Sequence, residues 1–276
     1  MKTFLSFILL VMCRQGLSAQ ELFVFSEPAS NMPAKSVSAK VSAVYPNSKY
    51  NNYFKQRYMP EIMFGISKQV MVHVSATFSD YYYYKIKSES AKLYAKWRFY
   101  SNDDVHKHFR LAVFAEGSYS NSPFYYGDIN LNGDNTGIQA GVIATQLVNK
   151  FAVSGTASVI RVFAETGEHT GHEDHSLKAL TYSLSAGYLL FPREYTDYKQ
   201  PNVNVYMEMI GMRGLGLKHY MLDLAPAVQL ILNSNLKINA GYRFQVTGNM
   251  LRVGEKSWVF GIERTFLGAF QRKHKS

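Results

Sequence analysis

Lys92-Leu93-Tyr94-Ala95-Lys96-Trp97-Arg98-Phe99-Tyr100 decides the fold of this chain. Leu93, Ala95, Trp97 and Phe99 occupy alternate positions, with Lys92, Tyr94, Lys96, Arg98 and Tyr100 between them. Successive side chains of an extended strand point to opposite faces, so this stretch is a ribbon with one apolar and one strongly polar side. A water-soluble sandwich shows the same alternation. The solvent is decided by repetition of the pattern, at a length that spans a bilayer and behind an export signal.

Reading outward from that ribbon, about a dozen stretches alternate in the same way, with no helical span between them. Upstream they are Ser36–Tyr45, with Val37, Ala39, Val41 and Ala43 on the apolar face, then Tyr58–Ile66 and Val70–Ser79. Downstream come Phe109–Ser118, Thr136–Thr145, and runs marked by Val153–Val159, Tyr182–Leu190, Val203–Met209, Leu222–Leu230, Leu236–Phe244 and Trp258–Ile262. The expectation is an all-β chain: a transmembrane antiparallel up-and-down barrel of about twelve strands. Pro226 lacks the N–H that a ladder needs, which predicts a bulge at that point of the tenth strand.

The connections carry the same message. Short links follow even strands (Ser67–Gln69, Leu147–Lys150, Asn233–Asn235), and longer polar links follow odd ones (Pro46–Arg57, Tyr119–Asn135, Glu165–Ser176). Outer-membrane barrels have short periplasmic turns and longer outer loops, so the N-terminus is placed in the periplasm; Phe191–Pro201 is long for such a turn. Aromatic residues gather where strands meet links: Tyr81–Tyr84, Tyr100, Tyr125, Tyr126, Phe151, Phe191, Tyr195, Tyr198 and Trp258. Rings with an apolar body and a polar tip favour the headgroup zone and form girdles at both rims.

Residues 1–19 read as a signal peptide: Lys2, an apolar run from Phe4 to Met12, and the small residues Ser18 and Ala19 before Gln20. The run is too short for a spanning helix. Cleavage after Ala19 removes Cys13, the single cysteine of the chain, so no intramolecular disulfide staples the mature protein. Residues 20–35 form a periplasmic N-terminal segment, 36–270 the barrel and 271–276 a basic tail. The formal net charge of +10 accompanies no nucleic-acid motif, and export argues against a nucleic-acid partner. A slightly negative mean hydropathy of −0.16 suits a barrel, which greases only its outward half.

The chain resembles the outer-membrane β-barrel proteins of Bacteroidota-type envelopes, described as transporters or porin-like proteins. The stretches that carry the likeness are ELFVFSEPASNMP (Glu21–Pro33), SNDDVHKH (Ser101–His108) and SWVFGIERTF (Ser257–Phe266). The resemblance covers the mature chain as architecture. It implies an outer-membrane location and a general transport role, and brings no catalytic motif. Phe266 and Phe270 are followed by Gln271–Ser276, whereas barrel chains often stop at a terminal aromatic residue.

Strand parity turns Lys40, Lys92, Lys96, Arg98, Arg110, Lys237 and Arg243 into the lumen, against Glu61, Glu116, Glu208, Asp223 and Glu263. Charged rings lining a bore select solutes by sign and width, and the basic excess predicts passage of small polar, anionic solutes, with Arg98 and Arg110 as a basic constriction. The alternative is a structural or accessory barrel whose charges pair across a plugged lumen. A third reading, an outer-membrane lipid hydrolase, rests on His73 and Ser75 sharing one strand face, without a third residue to orient them and with both pointing away from lipid. His169, His172 and His175, with Glu173 and Asp174, could ligate Zn or Cu from an outer loop. Asn130–Gly133 with Asp128 and Asp134 lacks the regular spacing of a calcium loop and reads as a turn. No cofactor is implied. The partners expected are outer-membrane lipids, a small polar solute and the barrel-assembly machinery during biogenesis.

Overall fold

The computed structural model describes residues 23–48, 55–105, 107–123, 127–163, 177–192, 200–216 and 218–270. The signal-peptide stretch, the His169–His175 cluster and the 271–276 tail lie outside the described residues. Twelve strands form one closed antiparallel barrel: β1 (Ser36–Ser48), β2 (Arg57–Gly65), β3 (Val70–Ser79), β4 (Lys87–Asp103), β5 (Lys107–Ser120), β6 (Gly137–Val148), β7 (Phe151–Val162), β8 (Lys178–Phe191), β9 (Asn202–Gly214), β10 (Tyr220–Leu232), β11 (Leu236–Gly248) and β12 (Gly254–Phe266). Each strand pairs with its sequence neighbours, and β1 closes the ring on β12 with Val41 opposite Ile262. Closure leaves no unpaired edge, the condition for a sheet to lie in hydrocarbon. A strand of 13 residues is roughly 43 Å of ribbon, which at a tilt of about 40° spans about 33 Å. That matches a hydrocarbon core of about 30 Å.

The parity read from the sequence fixes which face meets lipid. Val41, Ile62, Val74, Leu93, Val142, Leu184, Val228 and Ile262 are all exposed on the outer surface. Their sequence neighbours Lys40, Glu61, His73 and Glu263 turn inward. Ring clusters stand at both ends of this apolar belt. Trp258 packs on Tyr242 at 4.7 Å and on Phe260 near the outer rim, and Tyr100 packs on Phe109 near the periplasmic rim.

Three local expectations are corrected. Tyr100, read as inward, faces outward at 45% exposure, because the β4–β5 register shifts between Arg98 and Tyr100 and flips the parity beyond. At Pro226 there is no bulge: it pairs with Met207 of β9, the β11 ladder simply skips it, and the register shift lies at Leu222/Asp223 instead. Tyr81 and Tyr82 leave the predicted girdle for the mouth of the barrel, where Tyr81 stacks under the Arg57 guanidinium at 3.9 Å. Tyr82 donates its hydroxyl to Asp134 at 2.8 Å.

A larger difference concerns the N-terminal segment. Residues 23–35 do not lie outside the barrel but turn into it from the end that carries the short Ser67–Gln69, Leu147–Lys150 and Asn233–Asn235 links. Phe23 packs on Tyr206 at 5.5 Å in a cluster with Leu147, Ala152 and Ala227. Two strand glycines make room: a Cβ on Gly187 would meet the Tyr206 ring at 2.6 Å, and one on Gly241 would meet the Phe25 ring at 2.7 Å.

Candidate functional site

The lower lumen is organised around the N-terminal segment. An irregular peptide inside a barrel has no ladder, so its backbone groups need side-chain partners. Glu208, fully buried on β9, supplies acceptors. Its carboxylate takes the N–H groups of Val24 (2.8 Å), Phe25 (2.9 Å) and Ser26 (2.9 Å), with the Ser26 and Ser185 hydroxyls completing its shell. Lys96, on β4 across the bore, supplies donors. Its ammonium reaches the carbonyls of Pro28 (2.6 Å) and Ser30 (2.8 Å) and the Glu27 carboxylate (3.2 Å). Thr145 accepts the N–H of Ala29 at 2.8 Å, and Arg110 donates to the Ser30 hydroxyl at 2.9 Å. One anion gathers N–H groups and one cation gathers carbonyls, and the segment is held flat across the bore between them.

Above it lies a chamber of about 490 Å³. Its wall carries His73, Lys92, Tyr94 and Glu116 and continues through Gln139, directly across the β5–β6 ladder from Glu116, to Ser158, Thr181 and Ser183. The His73 Nδ1 stands 2.9 Å from the Glu61 carboxylate and donates to it, which leaves Nε2 buried in the chamber wall without a partner among the described residues. The His73 ring lies 4.8 Å from that of Tyr94, which stacks on Phe114 at 5.5 Å. Lys92 pairs with Glu116 at 3.3 Å. Lys40 is flanked across both ladders by Glu61 and Glu263.

The outer mouth is narrowed by the β5–β6 link. Ile129 and Leu131 are buried among Ile160, Val162, Met212, Met221 and Met250, and Asp134 is clamped by Arg57, which also meets Glu89 at 3.0 Å. Opposite, Asp223 accepts from Arg243 (2.6 Å) and Arg252 (2.7 Å). Burial pushes the Asp134 carboxyl up, but the Arg57 guanidinium, with Asn130 and Tyr82 donating, brings it below its ordinary range. Asp128 has no such clamp: burial and the nearby Asp134 charge push it up to about 6, only partly opposed by Arg252, Arg243 and Arg57.

The residues expected to line the bore therefore divide. Lys40, Lys92, Glu116 and Arg243 face the chamber. Lys96 and Glu208 are buried anchors of the N-terminal segment. Glu263 pairs with Lys237 at 2.8 Å and accepts the Ser38 hydroxyl. Arg98 donates to the Lys68 carbonyl at 2.8 Å in a periplasmic turn, and Arg110 binds Asp103 at 2.9 Å. These two guanidiniums are thus engaged at the rim, and the constriction is the peptide itself. Sequence reasoning missed the docking of residues 23–35. It also missed Glu61 as the partner of His73, because the pairing joins adjacent strands. Its signal was present in the inward parity of both residues. No hydrogen bond joins His73 to Ser75 among the described residues. The expected metal ligands His169, His172 and His175 lie outside them.

No protein-family model matches the chain, and no curated protein matches it. Solved structures do. The COG4313 outer membrane channel from Pseudomonas putida F1 aligns with a TM-score of 0.60 at 10% identity, over 88% of this chain and 100% of that one. The KdgM porin aligns with a TM-score of 0.51 at 9% identity, over 83% of this chain and 99% of that one. At such identities the likeness is one of fold. The fold is that of the outer-membrane β-barrels. A closed ring with an apolar outer belt and a polar interior suits a bilayer, because the exposed leucines, valines and rings would be out of place in water.

Proposed function

We propose that this barrel is a narrow outer-membrane channel for small polar solutes, its bore restricted by the N-terminal segment below and the β5–β6 link above. The observation that carries the reading is the chamber of about 490 Å³ between those two elements, lined in near-equal measure by polar and apolar groups. A barrel built only for structure would gain by filling that volume with apolar side chains. The two structural neighbours, a channel and a porin, point the same way. The pairing of lumen charges argues for weak charge selection rather than the anion preference suggested by the basic excess, since a cation already held by a carboxylate attracts a passing anion less. Lipid against the apolar belt and insertion by the barrel-assembly machinery belong to the same reading, as does an absence of enzymatic activity.

A second reading, a closed accessory barrel, is favoured by the number of bonds that hold residues 23–30 across the bore. Purified full chain in planar bilayers separates the two. Small stepwise currents with a reversal potential near zero in a salt gradient support the channel. Electrical silence at all voltages, in a correctly folded protein, supports the closed barrel.

A further inference from the structure

The chamber wall contains two buried polar groups with no hydrogen-bond partner among the described residues: His73 Nε2 and the Tyr94 hydroxyl. Both side chains are more than nine-tenths buried, at 5% and 6% exposure, and both line the chamber. Unmade hydrogen bonds on buried groups are costly, and here they lie on adjacent strands with rings 4.8 Å apart. Their chemistry is complementary. With Nδ1–H committed to Glu61, the imidazole in its neutral form presents an acceptor at Nε2, and the Tyr94 hydroxyl supplies a donor.

We infer that the chamber is a binding site for a neutral polyhydroxylated solute of about monosaccharide size, held by a hydroxyl that donates to His73 Nε2 and accepts from Tyr94. This deepens, and rests on, the channel reading above. A hydroxyl gives and accepts at once, as this pair requires. An ammonium only donates and a carboxylate only accepts. The charges around the pair are already matched, Lys92 with Glu116 at 3.3 Å and Glu61 with Lys40 directly across the β1–β2 ladder, so a charged solute must break an existing pair to gain one. A neutral solute need not. The adjoining wall carries the hydrogen-bonded trio Gln139, Ser158 and Thr181, the Tyr94 and Phe114 rings offer a flat apolar surface, and the volume lies within the range of small-molecule sites.

The test is saturation-transfer NMR, titrating glucose against the full chain in detergent micelles, with gluconate and glycine as competitors. Tyr94→Phe removes only the hydroxyl. His73→Asn keeps an amide N–H toward Glu61 and deletes Nε2. Each variant is expected to weaken glucose binding about three- to tenfold, the range of one hydrogen bond, with the barrel band on a gel unchanged. Absence of glucose binding, meaning that water alone satisfies the pair, overturns the inference. So does equal competition by gluconate or glycine, or glucose binding that neither variant changes. Binding is read without current, so a silent bilayer would refute the channel reading alone, and a conducting barrel blind to glucose would refute this inference alone.

Discussion

Glu208→Gln should release the N-terminal segment, and the size of the effect follows from who bonds to which oxygen. In the parent chain one carboxylate oxygen accepts the Val24 and Phe25 N–H groups, and the other accepts the Ser26 N–H and the hydroxyls of Ser26 and Ser185. A glutamine keeps one acceptor oxygen, which serves Val24 and Phe25. Its amide nitrogen then faces the Ser26 N–H, donor against donor, while the two hydroxyls can rotate to accept. One buried N–H is left unmade, at about 1–3 kcal/mol, and two charge-assisted bonds become neutral, at roughly 1 kcal/mol more. The expected loss is about 2–4 kcal/mol, or a 30- to 1,000-fold rise in the undocked population. A single reporter cysteine at Ser30, in a chain carrying Cys13→Ser, measures this through its rate of labelling by a membrane-impermeant maleimide, since labelling in fast exchange tracks the open fraction. Glu208→Ala, which removes every acceptor, should label faster still. Labelling of Glu208→Gln within threefold of the parent, in a protein that still runs as a folded barrel, would refute the claim that Glu208 holds the segment.

Lys96→Met leaves the Pro28 and Ser30 carbonyls and Glu27 without their ammonium. It should cost up to about 3 kcal/mol, below the usual figure for a broken buried pair because Glu27 keeps partial access to water, and raise the same labelling rate. Leu184→Arg places a charge at mid-strand on the lipid face and should cost about 2–4 kcal/mol in urea titrations of the protein in vesicles. Ser183→Asn, one residue along and facing the chamber, should cost less than about 1 kcal/mol in the same assay. The β5–β6 link should dock more tightly at pH 5 than at pH 7. The folded Asp128 carboxyl sits near 6, above its unfolded value, so the docked state binds the extra proton and loses stability as pH rises from about 4 through about 6, by roughly 3 kcal/mol in all and roughly 1.3 kcal/mol between pH 5 and pH 7. Asp134, shifted the other way, contributes stability that is fully present at both pH values and is lost only as pH falls below its ordinary carboxylate range. Hydrogen exchange across residues 127–136, corrected for intrinsic rates, should show this trend, and Asp128→Asn should abolish it while slowing exchange at pH 7.

The barrel was legible in the sequence because period-two alternation is a local property and lipid enforces it on every strand. Ribbons such as Lys92–Tyr100 therefore declared their faces residue by residue. Tyr100 and Pro226 escaped that reading for a related reason: where a register shift falls depends on the partner strand, and parity is silent about partners. Tyr81 and Tyr82 read as girdle residues until Arg57 and Asp134, distant in sequence, drew them into the mouth.

What fills the bore was decided only by the tertiary structure. Glu208 and Lys96 look like any other lumen charge, and nothing in residues 23–30 marks them as an internal strap. The segment is irregular, its bonds to Glu208 join residues more than 180 positions apart, and backbone N–H and carbonyl groups are the same in every sequence. The strands' own sequence made a barrel. Whether its charges would line an open pore or grip a peptide depended on which groups closure of the ring brought face to face.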